Sequence, residues 1–256
     1  MRIILSGYGG HMGREVRACA ERMEDAMIVA GVDPASPEDE LCVKNIADCN
    51  AEADVIIDFS HHSGTGALLE YAIAKKLPVV LATTGHTEEE KAIITDAAKQ
   101  IPIFLAANYS LGIATLTDLV KRVAALYPDG EIEIVEQHHD RKLDAPSGTA
   151  LSLFNAIKEV RPEATANCGR SGQGKRTQDE VGIHAVRMGN IVGIHEVMIS
   201  TQNERISLKH EAFSRGVFAE GSLKAAQFMV GKAPGMYDMK DLLNEKLILR
   251  AWEWFL

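Results

Sequence analysis

The chain has 256 residues, 46% hydrophobic and 25% charged, so its length permits one large domain or two smaller ones, each with a core. Its 27 Lys and Arg residues against 36 Asp and Glu residues leave a net charge of -9, which argues against nucleic-acid and membrane-surface partners. We expect a cytoplasmic protein, because the sequence opens with no secretory signal and holds no apolar run long enough to span a bilayer. We also expect reduced thiols and no metal site. No two of the four cysteines have CxxC spacing, and none has a histidine beside it; they are Cys19, Cys42, Cys49 and Cys168.

Strand-like and helix-like segments alternate through the first half of the sequence. Apolar runs predict strands over residues 2–6, 27–33, 54–59, 78–82 and 101–106. Helical patterns lie between them, from the first glycine cluster to about residue 23, over 66–75 and over 87–100. The last of these begins with Thr87 and Glu90 at the spacing of a capping box. Apolar strands separated by amphipathic helices predict a parallel sheet covered on both faces.

The pattern changes after Asn108, and we place a domain boundary near residues 108–112. A helix is predicted over 113–126, followed by a half-buried strand over 131–136 whose alternation has one imperfect position. A helix over 147–160 and a long mobile loop over 161–180 come next. Three antiparallel strands and a last helix follow, over 183–188, 195–201, 205–210 and 222–230. The sequence thus predicts an α/β domain followed by an α+β domain.

A glycine-rich turn joins the first predicted strand to the first predicted helix. Such a turn allows a pyrophosphate to approach the free N–H groups of the helix. Its glycine spacing departs from GxGxxG, because Met12 occupies the third glycine position and Gly13 comes one residue later. A plain tight turn is the alternative, but an acidic residue at the next strand end favours dinucleotide binding. The predicted contacts are Gly7, Tyr8, Gly9, Gly10, His11, Met12 and Asp33.

Asp33 also bears on the choice between NADH and NADPH. Its carboxylate repels a 2′-phosphate, and the residues after it, Pro34-Ala-Ser36, include no basic side chain, which favours NADH. The alternative is that Ser36 or a distant basic residue accommodates the phosphate. Two segments at later strand ends are predicted to line the nicotinamide part of the cofactor, although each taken alone is typical of an ordinary strand-to-helix turn. They comprise Ala82, Thr83 and Thr84, and Ala106, Ala107, Asn108 and Tyr109.

The segment from Glu136 to Thr149 gathers groups that suit a small anionic substrate needing a proton. His138 and His139 end a strand, so their rings start on opposite faces, and Lys142 follows closely. Ser147 precedes Gly148 and Thr149 at a helix start, where N–H groups and a hydroxyl can hold a carboxylate. A surface histidine pair and a simple helix cap are the alternatives. Elsewhere we assign His61-His62 to a loop on the cofactor side and take His195 and His210 as structural or peripheral.

Residues 136–150 resemble the signature E-x-H-H-x-x-K-x-D-A-P-S-G-T-A of the 4-hydroxy-tetrahydrodipicolinate reductase (dihydrodipicolinate reductase) family of bacterial and plant lysine biosynthesis. Residues 7–13 resemble that family's G-x-x-G-x-M-G, and further matches follow in order over 58–60, 82–85, 106–110, 187–193 and 235–239. The resemblance implies a Rossmann-type doubly wound parallel sheet with a second mixed-sheet domain. The implied ranges are 1–109 with 219–256 for the dinucleotide-binding domain and 110–218 for substrate binding and oligomerisation, in a homotetramer.

The resemblance also implies a reaction and the residues that perform it. A hydride passes from NADH or NADPH to a cyclic, conjugated imine dicarboxylate of the diaminopimelate and lysine pathway. His138 would donate and accept a proton and Lys142 would be the second proton donor. The substrate carboxylate would be bound by His139, Gly148 and Thr149.

Four features depart from the family pattern. His11 stands where the family often has Arg, and Pro34 stands where NADPH-using members often have a basic residue. Ala82 replaces a usual Gly, and residues 247–256 run past the usual family end. Two other functions compete with this assignment. One is a different Rossmann-fold oxidoreductase, and the other is a catalytically silent NAD-binding regulatory protein.

Overall fold

The computed structural model describes the chain over residues 1–35 and 39–253, and its side chains over 1–35 and 39–247. It divides into two compact units, Met1–Ser110 with Arg215–Leu256, and Leu111–Ser214. Ser36 and the side chains of the aromatic tail over 248–256, both part of the sequence expectations, lie outside the described residues.

The strands and helices are numbered in chain order. The strands are β1 (Arg2–Ser6), β2 (Met27–Val32), β3 (Cys42–Val43), β4 (Val55–Asp58), β5 (Val79–Leu81), β6 (Pro102–Leu105), β7 (Glu131–His138), β8 (Thr165–Cys168), β9 (Glu180–Arg187), β10 (Gly193–Ser200), β11 (Arg205–Ala212) and β12 (Gly235–Tyr237). The α-helices are α1 (His11–Ala20), α2 (Thr65–Lys75), α3 (Glu88–Ala97), α4 (Leu111–Leu126), α5 (Gly148–Val160), α6 (Gly216–Met229) and α7 (Met239–Glu253).

The first unit is built on a parallel seven-stranded sheet in the order β12-β6-β5-β4-β1-β2-β3. Every residue of β4 and β5 is buried, as expected for strands covered on both faces. Helices α2 and α3 contribute Leu69 and Ile94 to one core cluster, while α6 packs against β4, β5 and β6 and also against α1. The predicted Rossmann-type α/β fold is confirmed.

The predicted capping box at the start of α3 is also confirmed. The Thr87 hydroxyl accepts a hydrogen bond from the Glu90 N–H at 3.2 Å, and the Glu90 carboxylate accepts one from the Thr87 N–H at 2.8 Å. Two N–H groups that the helix itself cannot satisfy are therefore paired, which fixes where α3 begins.

The second unit is a mixed five-stranded sheet in the order β11-β10-β7-β9-β8. Strand β10 is antiparallel to β7 and β11, whereas β9 is parallel to both β7 and β8. Alternate residues of β7 are buried, and with α4 and α5 they form a core that includes Ile132, Ile134, Val120 and Leu153. The predicted mixed-sheet α+β domain is present.

Two predictions for this unit are wrong. The segment around β9 was expected to join an antiparallel set, but it runs parallel to β7, because the chain crosses over through α5 before it returns to the sheet. The predicted loop over 161–180 contains β8, an edge strand of Thr, Ala, Asn and Cys with mostly exposed side chains. Its order comes from backbone pairing with β9, for which the sequence offers no apolar alternation as a signal.

No helix in the described part of the chain is long and apolar enough to cross a membrane.

Candidate active site

The glycine turn after β1 is packed so tightly that two of its residues must be glycine. Gly7 has φ +79°, and a Cβ there would lie 2.5 Å from the carbonyl oxygen of Phe59. A Cβ at Gly13 would lie 2.2 Å from the Gly7 carbonyl oxygen. Gly13 therefore allows the close packing of helix against turn that the third glycine of the standard motif allows. It lies one residue later in the sequence than that glycine would.

The start of α1 and the end of β2 meet beside this turn. The first N–H groups of α1, at His11 and Met12, have no acceptor within the helix. The N-cap residue is Gly10, which has no side chain that could accept from them. The Asp33 carboxylate accepts hydrogen bonds from the N–H groups of Gly9 and Ala35, both at 2.9 Å. The turn is therefore compact, and it ends at N–H groups for which helix α1 itself has no acceptor. These features fit a dinucleotide.

Three of the predicted cofactor residues have buried side chains that serve packing. The Tyr8 ring lies against Gly31, and its hydroxyl donates to Asp39 at 2.8 Å. The Thr83 hydroxyl donates to the Asp58 carboxylate at 2.8 Å. The Tyr109 hydroxyl donates to the Leu81 carbonyl at 2.7 Å, and burial raises the pKa of Tyr109. The hydroxyl hydrogens of these three residues are therefore used within the protein.

The other predicted cofactor residues lie at the carboxyl edge of the sheet, in turns that follow β5 and β6. Thr84 and Ala107 are exposed, while Ala82, Ala106 and Asn108 are half-buried, and the Asn108 side chain accepts from the Ser110 N–H at 2.8 Å. The loop after β4 reaches the same edge, since β4 and β5 are parallel neighbours. There His62 Nδ1 lies 2.9 Å from Oε1 of Glu90, and the ring centroids of His61 and His62 are 4.2 Å apart.

In the second unit, His138 ends β7 and is 8% exposed. Its Nδ1 lies 2.6 Å from Oε2 of Glu136, which is completely buried. Arg187 donates to both oxygens of that carboxylate, at 2.8 Å from Nη1 and 2.7 Å from Nη2, and the Ser147 N–H donates to Oε1 at 3.0 Å. The carboxylate therefore accepts three hydrogen bonds, from the Arg187 guanidinium and the Ser147 N–H, in addition to its contact with His138.

Glu136 is ionised throughout the physiological range. Burial alone would raise its pKa, but hydrogen bonds from His138, Arg187 and the Ser147 N–H outweigh that effect and hold the pKa at about 2. An ionised carboxylate only accepts hydrogen bonds, so the hydrogen in the short contact must sit on His138 Nδ1. His138 Nε2 is then free to act on a ligand. A Cβ at Gly193 would lie 3.2 Å from that nitrogen.

Lys142 lies in the loop between β7 and α5. Its side-chain ammonium is 2.8 Å from Oδ1 of Asp144, and its main-chain N–H donates to the His139 carbonyl at 3.2 Å. The pairing with Lys142 lowers the pKa of Asp144. His139 is anchored by its N–H, which donates to the Ile191 carbonyl at 2.8 Å.

Helix α5 begins where the sequence predicts. Ser147 is its N-cap, with a hydroxyl that accepts from the Ala150 N–H at 3.2 Å. Gly148 and Thr149 form the first turn, and a Cβ at Gly148 would meet nothing within 4 Å. Open space at Gly148 beside the first-turn N–H groups of a helix suits an anion.

His195 on β10, which the sequence predicts to be structural or peripheral, is buried beside His138. It is 3% exposed, its Nε2 lies 3.2 Å from the Ser147 hydroxyl, and its ring centroid is 5.1 Å from that of His138. Burial lowers its pKa to about 4, so the ring is neutral at physiological pH. His210 pairs with His195 across β10 and β11, and burial lowers its pKa also.

Sequence reasoning did not single out Glu136 or Arg187 as parts of this site. The available signal was Glu136 itself, a charged residue on the inward-facing side of β7 next to Ile132 and Ile134. Arg187 had no such signal, because its contact with Glu136 spans 51 residues and depends on the parallel pairing of β7 with β9.

The parallel sheet and the glycine turn define the first unit as the dinucleotide-binding domain of a nicotinamide-dependent oxidoreductase. The sequence matches the family model described as dihydrodipicolinate reductase, N-terminus, over residues 1–109, and the model described as dihydrodipicolinate reductase, C-terminus, over residues 112–243. The chain belongs to the dihydrodipicolinate reductase family.

Individual relatives agree with that membership. A protein of Clostridium tetani named 4-hydroxy-tetrahydrodipicolinate reductase is 48% identical over 248 residues, covering 95% of this chain and 97% of the relative. One of the same name from Caldanaerobacter subterraneus is 46% identical, covering 96% and 99%. The solved dipicolinate-bound dihydrodipicolinate reductase from Paenisporosarcina sp. TG-14 superposes with a TM-score of 0.79 at 23% identity, covering 93% and 97%, and so shares the fold.

Proposed function

We propose that this chain reduces 4-hydroxy-tetrahydrodipicolinate (dihydrodipicolinate) to tetrahydrodipicolinate with a hydride from NADH or NADPH, as a step of diaminopimelate and lysine biosynthesis. The observation that carries the proposal is the short segment that holds His138, Lys142 and the start of α5 together. One carboxylate, Glu136, accepts from both His138 and the Ser147 N–H, so the proton donor and the helix N-terminus share an anchor. Membership of the reductase family supplies the reaction class.

The residues of the second unit suit a dicarboxylate. The first turn of α5 offers N–H groups, the Thr149 hydroxyl and open space beside Gly148 to one carboxylate, with His139 close by in the sequence. The Lys142 ammonium can exchange its exposed partner Asp144 for a substrate carboxylate or give up a proton. A relative from Paenisporosarcina is described as dipicolinate bound, and dipicolinate is itself a dicarboxylate.

The proton step follows from the orientation of His138. Loss of the 4-hydroxyl as water leaves a conjugated imine, and the dihydronicotinamide, when bound, would supply a hydride to ring carbon four of that imine. The electron pair displaced by the hydride leaves negative charge on the resulting enamine, which then takes up one proton. Protonated His138 carries hydrogens on both nitrogens, and Glu136 retains the one on Nδ1. The hydrogen on Nε2 is therefore the one that His138 delivers, with Lys142 as the second donor.

We propose NADH as the preferred cofactor. The Asp33 carboxylate is fixed at the glycine turn by the N–H groups of Gly9 and Ala35, where it suits ribose hydroxyls and repels a 2′-phosphate. Replacing Asp33 by Ser should shift the ratio of kcat/KM for NADPH over NADH upward by roughly tenfold or more. An unchanged ratio would remove Asp33 from cofactor selection.

The homotetramer and the cytoplasmic location remain predictions. Light scattering on the eluting protein in size-exclusion chromatography tests the first, and a mass near that of a single 27.9 kDa chain would contradict it.

The reaction is tested by the loss of dihydronicotinamide absorbance, with substrate generated in situ from pyruvate and aspartate semialdehyde. We expect oxidation that depends on this substrate, measured with NADH and NADPH side by side. A folded protein that binds cofactor but oxidises neither would contradict the proposed reaction and favour a non-catalytic NAD-binding protein. Oxidation with a different carbonyl substrate alone would favour another oxidoreductase.

A further inference from the structure

Glu136 is a completely buried carboxylate that the proposed reaction does not itself consume. Burying a charge is costly unless partners compensate for it, so a position such as this one is occupied by Glu only where its contacts outweigh that cost. The same position on β7 would otherwise suit an apolar residue, as at Ile132 and Ile134.

We propose that Glu136, clamped by Arg187, is the positioning residue that fixes the tautomer and orientation of His138 for proton delivery from Nε2. The kinetic consequence rests on the proposed function, whereas the tautomer is a property of the protein without substrate. Glu136 acts through His138, and on this account it never touches the substrate.

The clamp determines which carboxylate oxygen faces His138. Oε1 accepts from Arg187 Nη2 at 2.7 Å and from the Ser147 N–H at 3.0 Å. Oε2 accepts from Arg187 Nη1 at 2.8 Å and lies 2.6 Å from His138 Nδ1. The carboxylate cannot turn away without losing these donors, so the imidazole ring is held by a partner that is itself immobile.

The tautomer follows from that geometry. With an acceptor fixed against Nδ1, the neutral ring carries its hydrogen on Nδ1 and presents the lone pair of Nε2. The opposite tautomer would set two lone pairs against each other at hydrogen-bond distance. His138 can therefore take up and deliver a proton only at Nε2, next to Gly193.

Arg187 extends the clamp to the lysine loop. Its Nη2 also donates to the Asp144 carbonyl at 2.6 Å, and the Asp144 carboxylate pairs with the Lys142 ammonium at 2.8 Å. One guanidinium thus holds the backbone beside Lys142 and the carboxylate that orients His138. The two proposed proton donors share a single support.

The first test is the ¹⁵N NMR spectrum of the His138 ring in the protein without substrate. We expect neutral His138 to carry its hydrogen on Nδ1. In Glu136→Gln the amide oxygen should stay with Arg187 Nη2 and the Ser147 N–H, because the opposite orientation would set the NH₂ against both of these donors. The NH₂ then faces His138 Nδ1, and Arg187 Nη1 loses this acceptor but keeps the Val186 carbonyl. Neutral His138 should then carry its hydrogen on Nε2. Glu133→Gln is the matched control, because Glu133 is on the same strand and pairs with Arg176 and His184 instead.

The second test is kinetic. We expect Glu136→Gln to lower kcat by about 10- to 100-fold while KM and cofactor affinity stay within about threefold. Glu136→Asp should recover part of the loss, since it retains the charge, and Glu133→Gln should keep near wild-type kcat.

Two results would overturn the inference. The first is an Nε2–H tautomer in the wild-type protein, which needs no variant and therefore holds even if Glu136→Gln fails to fold. The second is a folded Glu136→Gln that retains both the Nδ1–H tautomer and the wild-type kcat. If the wild-type protein has the expected tautomer but does not reduce the substrate, the proposed function fails while the positioning by Glu136 stands.

Discussion

His195 is kept neutral by the packing that brings it beside His138. It is 3% exposed, and a positive charge there would lie among other basic groups, since His138, His210 and Lys142 all disfavour it. Glu136 acts in the opposite sense, but burial of the ring outweighs its attraction. The site thus contains two neighbouring histidines: His138, which contacts the Glu136 carboxylate, and His195, which stays uncharged.

The neutrality of His195 predicts a pH dependence of stability. Its pKa is about 4 in the folded chain against 6.5 for the free side chain. Between these pH values His195 is protonated in the unfolded chain but stays neutral in the folded chain. Stability should therefore fall as the pH drops from 6.5 toward 4, by on the order of 2–3 kcal/mol in total from this group. Glu136, whose pKa is lowered from 4.5 to about 2, stabilises the fold fully above about pH 5 and loses that contribution only as the pH falls further toward 2.

Urea unfolding of the wild type and of His195→Asn between about pH 5 and pH 7 checks this prediction. The variant should show a shallower loss of stability as the pH falls, whatever its stability at pH 7. Parallel curves for the two proteins would contradict it.

Gly193 leaves the space into which His138 Nε2 points. A Cβ there would lie 3.2 Å from that nitrogen, and His138 cannot move aside easily because Glu136 holds its other nitrogen. We expect Gly193→Ala to lower kcat by roughly tenfold through displacement of the ring. Gly174→Ala, where a Cβ would meet nothing within 4 Å, is the control in the same unit. Equal activities for both variants would show that the space is not needed.

At the scale of elements, the turn between β1 and α1 shows how a departure in motif spacing is accommodated. Met12 replaces the expected third glycine, and Gly13 supplies the close approach to the Gly7 carbonyl instead. The motif holds a helix N-terminus close to a tight turn. This arrangement is retained here, because α1 begins at His11 and Gly13 lies on the buried side of the helix.

This packing predicts that Gly13→Ala is strongly destabilising. Its Cβ would lie 2.2 Å from backbone oxygen of Gly7, so α1 must shift, which we expect to cost about 2–4 kcal/mol and to weaken cofactor binding. Gly66→Ala in α2 meets nothing within 4 Å and should instead stabilise by up to about 1 kcal/mol. Thermal unfolding and a fluorescence titration with dihydronicotinamide cofactor measure both effects. Similar behaviour of the two variants would contradict this account of the turn.

Strand β9 shows which aspects of an element the sequence can specify. Its apolar residues predicted a strand, and Ile183 and Val181 are buried as such a pattern requires. Its direction depends on α5, which carries the chain across the sheet before β8 and β9, and direction has no local signal. The exposed edge strand β8 had neither apolar alternation nor β-branched enrichment beyond Thr165.

At the scale of the whole molecule, the parallel sheet of the first unit could be predicted because β4 and β5 are apolar throughout and short helices separate the strands. The start of α5 and the location of His138 at a strand end also followed from local pattern. The support of His138 could not be predicted, because Arg187 reaches Glu136 across 51 residues of chain. His195 likewise joins the site only through the antiparallel pairing of β10 with β7.

The central claim is that the second unit provides a proton donor to a reduction for which the first unit binds the cofactor. His138→Gln tests it most directly, with His184→Gln as control, since His184 contacts Glu133 and not the proposed site. We measure substrate-dependent oxidation of NADH together with cofactor affinity. The account predicts that His138→Gln loses about 10²- to 10⁴-fold in kcat and retains cofactor affinity, while His184→Gln retains both. Turnover by His138→Gln at the wild-type rate would contradict it.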